Sequence, residues 1–260
     1  MNQPLAIERQ QQILDSLEKQ GRVIAQQLAQ RFGVSIDTIR RDLTDLATQN
    51  LLVKVHGGAV KKTAPSLPRE TREHLHKAAK TEIGKLCAAL IKPGQTVFFD
   101  NSTTVLEIVR HIPQTLMFTG ITHSLPTAVA LASLPNANTI MIGGQINQKE
   151  MMCADTETIA RITNFRPDIG FLGICAIHVD AGITTDTYED MLIKQAIVNQ
   201  SQLVVAPVSP DKFNQSSPYL VCPVSAIDIL ALDKLPDESA MEGFIPSGVQ
   251  LLTPAKEYIA

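Results

Sequence analysis

No two of the four cysteines, Cys87, Cys153, Cys175 and Cys222, stand close enough to form a Cys-x-x-Cys pair. That spacing excludes a zinc ribbon and a thioredoxin-like motif. Three of the four have apolar neighbours, which fits buried reduced thiols in a cytosolic protein. No apolar run approaches the roughly 20 residues needed to cross a bilayer. The first ten residues, Met-Asn-Gln-Pro-Leu-Ala-Ile-Glu-Arg-Gln, hold no apolar signal core. A cytoplasmic protein with no membrane partner is expected. Catalytic signatures are missing too: there is no Gly-x-Gly-x-x-Gly, no Walker loop, no nucleophile elbow and no His-Glu-x-x-His. His74 and His76 stand two apart, and such residues do not share a helical face, so they make a poor metal pair. No cofactor and no metal site are expected.

The composition is globular, with 44% hydrophobic and 19% charged residues. The net charge of −3 is unevenly spread. Residues 1–62 carry nine Lys or Arg against six Asp or Glu, and the remainder is acidic. A basic head on an acidic body places any contact with a polyanion on the head.

Within that head, Ile36, Ile39, Leu43 and Leu46 are spaced three, four and three apart, which is one face of a helix. Ser35 precedes the face, where its hydroxyl can accept a bond from a free helical N–H. Asp37, Thr38, Arg40, Arg41 and Thr44 take the opposite face. Arginine forks match phosphate oxygens or the O6/N7 edge of guanine, so such a helix can read DNA. The alternative is a solvated helix with two surface arginines. Residues 5–19 and 23–32 read as two earlier helices, broken at Gly21 and Gly33. Two helices joined by a short glycine-containing turn form a helix-turn-helix. A β-prone run at 51–55, the glycines of His56-Gly57-Gly58 and a second run at 59–62 predict a hairpin. Lys54, His56, Lys61 and Lys62 would give it a basic edge, suited to gripping phosphate as a wing.

Residues 1–62 are thus expected to form one domain, 63–75 a linker and 76–260 a second domain. Pro65 and Pro68 fall in the linker's aperiodic part. A single helix is predicted over 70–90. Beyond it, strand-like runs at 96–99, 116–121, 139–142, 169–174, 203–206, 227–232 and 249–252 alternate with helical stretches at 104–111, 127–134, 154–163, 188–199 and 239–244. That alternation predicts an α/β domain with a mostly parallel sheet covered on both faces.

Ligands of such sheets sit beyond the carboxyl ends of the strands. Asp100-Asn101-Ser102-Thr103-Thr104 follows one strand and opens a helix, a place that favours anions. Plain helix capping is the competing explanation. Thr122-His123-Ser124 follows the next strand. His178-Val179-Asp180-Ala181-Gly182 could be a site or simply a turn. Lys194 and Lys212 are possible phosphate partners or solvated lysines. Asp100 and Glu189 could form an acid/base pair if the fold brings them together.

Val34-Ser35-x-x-Thr38-Ile39-Arg40-Arg41-Asp42-Leu43-x-x-Leu46, followed by His56-Gly57-Gly58-Ala59, closely resembles the DeoR family of bacterial sugar-metabolism regulators. The resemblance continues through nearly the whole chain. It implies a winged helix-turn-helix followed by a larger α/β sensor domain similar to ribose-5-phosphate isomerase. It further implies a DNA-binding regulator, usually a repressor, that is released from operator DNA by a phosphorylated sugar and works as a homodimer or homotetramer. The DNA-contacting residues would be Ser35, Asp37, Thr38, Arg40, Arg41, Lys54, His56 and Lys61. By position, the family's phosphate loop falls on Asp100, Asn101, Ser102, Thr103 and Thr104, and its Thr-Asn-Ser on Thr122, His123 and Ser124. Its Gly-Ile/Val-Asp falls on Ala176, Ile177 and His178, its later acid and lysine on Glu189 and Lys194, and its Lys-Phe on Lys212 and Phe213. Ser102, His123, Ala176 and His178 depart from the family residues, and the acid before Lys-Phe is displaced to Asp211. A sensor tolerates such changes better than an isomerase does, so no catalysis is expected. Phe98-Phe99-Asp100 and His178-Val179 look closer to the deoxyribonucleoside regulator that names the family, suggesting a pentose phosphate. The competing possibility is a sugar-phosphate isomerase or hydrolase with an accessory DNA-binding head.

Overall fold

The computed structural model describes residues 5–62, 66–235, 244, 248–254 and 256–259. Three helices open the chain: α1 (Ala6–Gln20), α2 (Ala25–Phe32) and α3 (Ile36–Thr48). Their apolar faces meet in one small core built from Ile13, Leu17, Leu28, Phe32, Ile39, Leu43 and Leu46. Ile36 is not part of it; at the first position of α3 it stays 37% exposed. The stretch predicted as a helix from residue 23 instead begins as a strand, β1 (Arg22–Ile24). It joins the hairpin β2 (Leu52–Val55) and β3 (Gly58–Lys61) in the order β1-β3-β2. Gly58 is what permits this, because a Cβ there would lie 2.0 Å from the carbonyl oxygen of Val23.

Beneath the recognition face lies a buried charge pair. Arg9 of α1 gives Nε and Nη2 to the two carboxylate oxygens of Asp42, the second at 3.0 Å. Both side chains are less than 10% exposed.

The helix predicted over 70–90 is two helices, α4 (Arg69–His74) and α5 (Lys77–Ala88). Leu75 is extended and His76 takes a left-handed φ of 51°, which no helix can carry through. The second domain then alternates as expected. It comprises β4 (Thr96–Phe99), α6 (Thr103–Arg110), β5 (Phe118–Thr122), α7 (Leu125–Ala132), β6 (Ala137–Met141), the short pair β7 (Ile146–Asn147) and β8 (Met152–Cys153), α8 (Thr156–Ile162) and β9 (Ile169–Phe171). After these come β10 (Ala176–His178), β11 (Gly182–Thr185), α9 (Tyr188–Gln200), β12 (Leu203–Pro207), β13 (Tyr219–Cys222), β14 (Ile229–Ala231), β15 (Gln250–Thr253) and β16 (Lys256–Ile259). The helix predicted at 239–244 and the linker residues 63–65 lie outside the described residues.

The main sheet runs β16-β15-β14-β12-β9-β4-β5-β6 and is parallel except for β16 at its edge. Along β4, Val97 and Phe99 point into the core under α5 and α6, while Phe98 points into the core under α8 and α9. Burial on both faces explains the continuous apolar run. The run at 169–174 divides, because β9 ends at Phe171 and the chain leaves to build a second antiparallel sheet, β10-β11-β13.

Replacing Asp42 with Ala removes the carboxylate that answers the buried Arg9 guanidinium, which costs on the order of 3 kcal/mol. Chemical denaturation of D42A should show that loss, and the double variant R9M/D42L should recover most of it. Equal instability in both variants would mean that packing, not the charge, is what D42A removes.

Candidate functional site

The first domain presents α3 and the hairpin side by side. Ser35 Oγ accepts from Thr38 N–H at 3.1 Å, capping α3, and lies 2.9 Å from Thr38 Oγ1. Asp37 pairs with Arg40 at 3.0 Å, both exposed, so the pair adds little and Arg40 can be released at low cost. Arg41 is exposed and makes no ion pair among the described residues. Lys54 reaches across from β2 to donate to Thr44 Oγ1 at 2.9 Å, tying the hairpin to the helix, and His56 stands exposed at the turn. Lys61, expected on the basic edge, is instead answered by Glu18 at 2.6 Å. That pair too is solvent-exposed and adds little, so Lys61 can be released at low cost, as Arg40 can.

In the second domain, the carboxyl ends of β4, β5 and β9 converge on Asp100, which has no exposed surface. One carboxylate oxygen accepts from Asn101 N–H at 2.7 Å and lies 3.1 Å from His123 Nε2. The other accepts from Gly173 N–H at 2.8 Å and from Lys194 Nζ. A Cβ at residue 173 would lie 2.5 Å from that of Ser102, so glycine is needed for this approach. Burial alone would raise the Asp100 pKa, but Lys194 and His123 hold it well below the usual carboxylate range. Lys194 is pushed down by burial and up more strongly by Asp100 and Asp190, so it stays charged. Asp190, four residues before it on α9, lies 3.4 Å away.

Around this centre open two adjoining cavities. The larger, about 260 Å³, is lined by Asn101, Ser102, Glu150, Asp186, Asp190 and Lys194, among others. The smaller, about 40 Å³, is lined by Lys80, Ser102, Thr103, Thr104, Asp211 and Lys212, among others. Arg72, Ser66 and Cys175 border both. Lys80 is buried and donates to Thr103 Oγ1 at 2.9 Å and to the carbonyl of Arg72. Its burial pushes its pKa down to about 8. Lysine ammonium, hydroxyls and the N-terminus of α6 together suit a phosphate group.

Residues 75–234 match the family described as DeoR C terminal sensor domain, and residues 9–64 match DeoR-like helix-turn-helix domain. The chain belongs to the DeoR family. It is therefore a DNA-binding transcriptional regulator. The Glycerol-3-phosphate regulon repressor of Escherichia coli (strain K12) is 31% identical over 94% of this chain and 97% of its own length. The Deoxyribose operon repressor of the same strain is 29% identical over 89% and 92%. These values do not set the deoxyribose regulator apart. Among solved structures, ribose 5-phosphate isomerase A from Methanocaldococcus jannaschii aligns over 51% of this chain and 52% of that one, with 13% identity and a TM-score of 0.38.

The DeoR-family loops do not all face the cavities. Asn101, Ser102, Thr103, Thr104, Lys194 and Lys212 line them. Asp100, Thr122, His123 and Ser124 do not; each is fully buried with partners in the protein. Thr122 Oγ1 donates to Phe99 carbonyl and accepts from Ser124 N–H, and Thr127 Oγ1 pairs with Ser124 Oγ. These four hold the loops in place. Glu189 is exposed, and Asp190 takes the position beside Lys194 because four residues, not five, bring side chains onto one face. Lys80, Arg72, Asp186 and Asp190 were missed. Lys80 and Arg72 lie on separate helices, α5 and α4, so no single helical spacing in the sequence pairs them.

His178 also lies elsewhere. On β10 it is fully buried, and with Asp180 it borders a cavity shared with Arg22, His56 and Gly57 of the first domain. Its Nδ1 accepts from Asp180 N–H at 3.1 Å. Burial pushes its pKa down to about 4, against the pull of Asp180. His178 is therefore neutral when folded and protonates more readily when unfolded. Its contribution is complete above about pH 6.5 and is lost as the pH falls toward 4, on the order of 3 kcal/mol in all. The stability difference between wild type and H178Q, followed by urea unfolding, should shift against the wild type by that amount across this window. A constant difference would contradict the burial account.

Proposed function

We propose that the protein represses a sugar or nucleoside catabolic operon and leaves its operator when a phosphorylated sugar enters the second domain. Residues 1–62 bind the DNA, residues 63–75 connect and lend Ser66 and Arg72 to the cavity walls, and residues 76–260 sense. Arg40 and Arg41 face the groove, with Ser35, Thr38 and Asp37 setting the helix end, while Lys54 and His56 approach the neighbouring phosphates. A homodimer or homotetramer reads two half-sites. The effector's phosphate sits against Lys80, Thr103, Thr104 and Lys212, and its hydroxyls meet Asn101, Asp186 and Asp190. The acid/base pairing of Asp100 with Glu189 is disfavoured, because both Asp100 oxygens are engaged by the protein and Glu189 borders neither cavity.

The observation that carries this reading is a hydrogen-bonded strip joining cavity to wing. Asp186, in the cavity wall, accepts from Ser66 N–H at 3.1 Å and from Ser217 Oγ at 2.7 Å. The adjacent Ser216 N–H donates to the carbonyl of Lys61, the last residue of β3. A ligand that draws Asp186 inward thus pulls on both the segment that leaves the wing and the loop that touches it.

Fluorescence anisotropy with the chain's own promoter DNA tests both halves. R41A should weaken operator binding at least tenfold without lowering the melting temperature; an equal loss of stability would make Arg41 structural. T103A should keep operator affinity and blunt release by sugar phosphates. An unchanged dose response in T103A would remove the phosphate from α6.

A further inference from the structure

From His111 to Gln148 the chain holds no Asp, Glu, Lys or Arg, although 19% of the whole is charged. Burial does not account for this. The stretch supplies β5, α7 and β6, and within it Met117, Val129, Met141 and Ile146 are exposed, Val129 by 73% and Met141 by 42%. Neighbouring helices clothe themselves in ion pairs: Lys85 with Glu82 on α5, Arg110 with Glu107 on α6, and Arg161 with Glu157 on α8. α7 has no charge to offer, and its exposed positions are Val129 and Ala132. Depletion of charge on an accessible surface is the mark of a face that meets protein.

The same stretch ends the main sheet. β6 pairs with β5 on one side, and among the described residues no strand pairs with its other side. Ile142 turns its N–H to the carbonyl of Thr122 on β5. Backbone groups alternate along a strand, so Ile140 and Asn138 also turn toward β5, while Thr139 and Met141 turn N–H and carbonyl outward. Natural edge strands guard such groups with lysine, proline or a bulge. Ala137-Asn138-Thr139-Ile140-Met141 has neither lysine nor proline, and all five residues stay in step with β5.

Resting on the reading above that the protein works as a homo-oligomer, we propose that this edge, with the outer face of α7, is where two copies of the chain meet, β6 against β6 in antiparallel order. The strand is its own complement. In a pair centred on Thr139, Ala137 lies opposite Met141 of the other copy at both ends, a small side chain against a large one. No charge meets its like, which a strand facing itself requires. Nucleic acid does not fit here, because the stretch supplies no lysine or arginine for phosphate. A two-fold pair also brings two recognition helices to one operator. The two main sheets become one across the axis, and the exposed side chains of α7 are covered beside it.

Sedimentation velocity on the full chain without DNA tests this. Wild type should associate at micromolar concentration. M141K places a lysine from each copy in the joint and should weaken association at least tenfold. T139P removes an outward N–H that the pairing needs and the single chain leaves to water, and should do the same. L220K alters an apolar residue at least as exposed, on β13, and should associate as wild type does. Far-UV circular dichroism should be unchanged in all three, and V129E on α7 serves if M141K or T139P does not fold. Wild type that associates, with M141K and T139P associating equally well, overturns this surface and leaves the homo-oligomer reading standing. So does an L220K variant as weakened as M141K. Wild type that stays monomeric at micromolar concentration removes the homo-oligomer reading, and this surface with it.

Discussion

Asp100 carries a negative charge with no exposed surface, and besides the N–H of its own neighbour Asn101 three separate segments answer it. They are the end of β5 through His123, the end of β9 through Gly173, and α9 through Lys194. Taking an ion pair out of water is costly, and the cost is met only when the geometry is good and the remaining hydrogen bonds are made. Here they are made, and the consequence is that these segments cannot move independently. The cavity walls inherit their positions from that constraint. Ser102 lies so close to Gly173 that a Cβ at residue 173 would stand 2.5 Å from the Ser102 Cβ.

The polar groups at the strand ends thus divide into two tiers. Asp100, Thr122, His123 and Ser124 spend their hydrogen bonds on one another, on Lys194 and Thr127, and on the backbone. Asn101, Ser102, Thr103, Thr104, Lys80, Lys194 and Lys212 face the cavities. On the proposed reading, the effector meets the second tier. Asp186, in the wall of the larger cavity, accepts from Ser66 and from Ser217, whose neighbour Ser216 touches the wing. His178 borders neither of the two cavities and instead lines a cavity with Arg22 and His56 of the first domain.

Much of this was legible in the sequence, for physical reasons. The three-, four- and three-residue spacing of Ile36, Ile39, Leu43 and Leu46 marks a helix whatever it packs against, although the exposure of Ile36 depends on where the partner helices end. The strand runs read correctly because a sheet buried on both faces must be apolar throughout. What failed was what depends on distant partners. Three residues, Arg22–Ile24, form a strand only because Gly58 lets β1 lie against β3. The division of the run at 169–174 depends on β13, some fifty residues later. A polar residue at a strand end looks the same whether it faces a ligand or a buried lysine, so the sequence alone does not show that Asp100 and His123 are buried against partners in the protein.

A double-mutant cycle on Asp100 and Lys194, measured by urea unfolding of wild type, D100N, K194M and D100N/K194M, examines the buried pair directly. If the pair organises the second domain, D100N alone costs on the order of 3 kcal/mol, and the double variant loses at least about 1 kcal/mol less than the two single losses combined. Losses that simply add would show that Asp100 and Lys194 act independently and that something else holds the loops together.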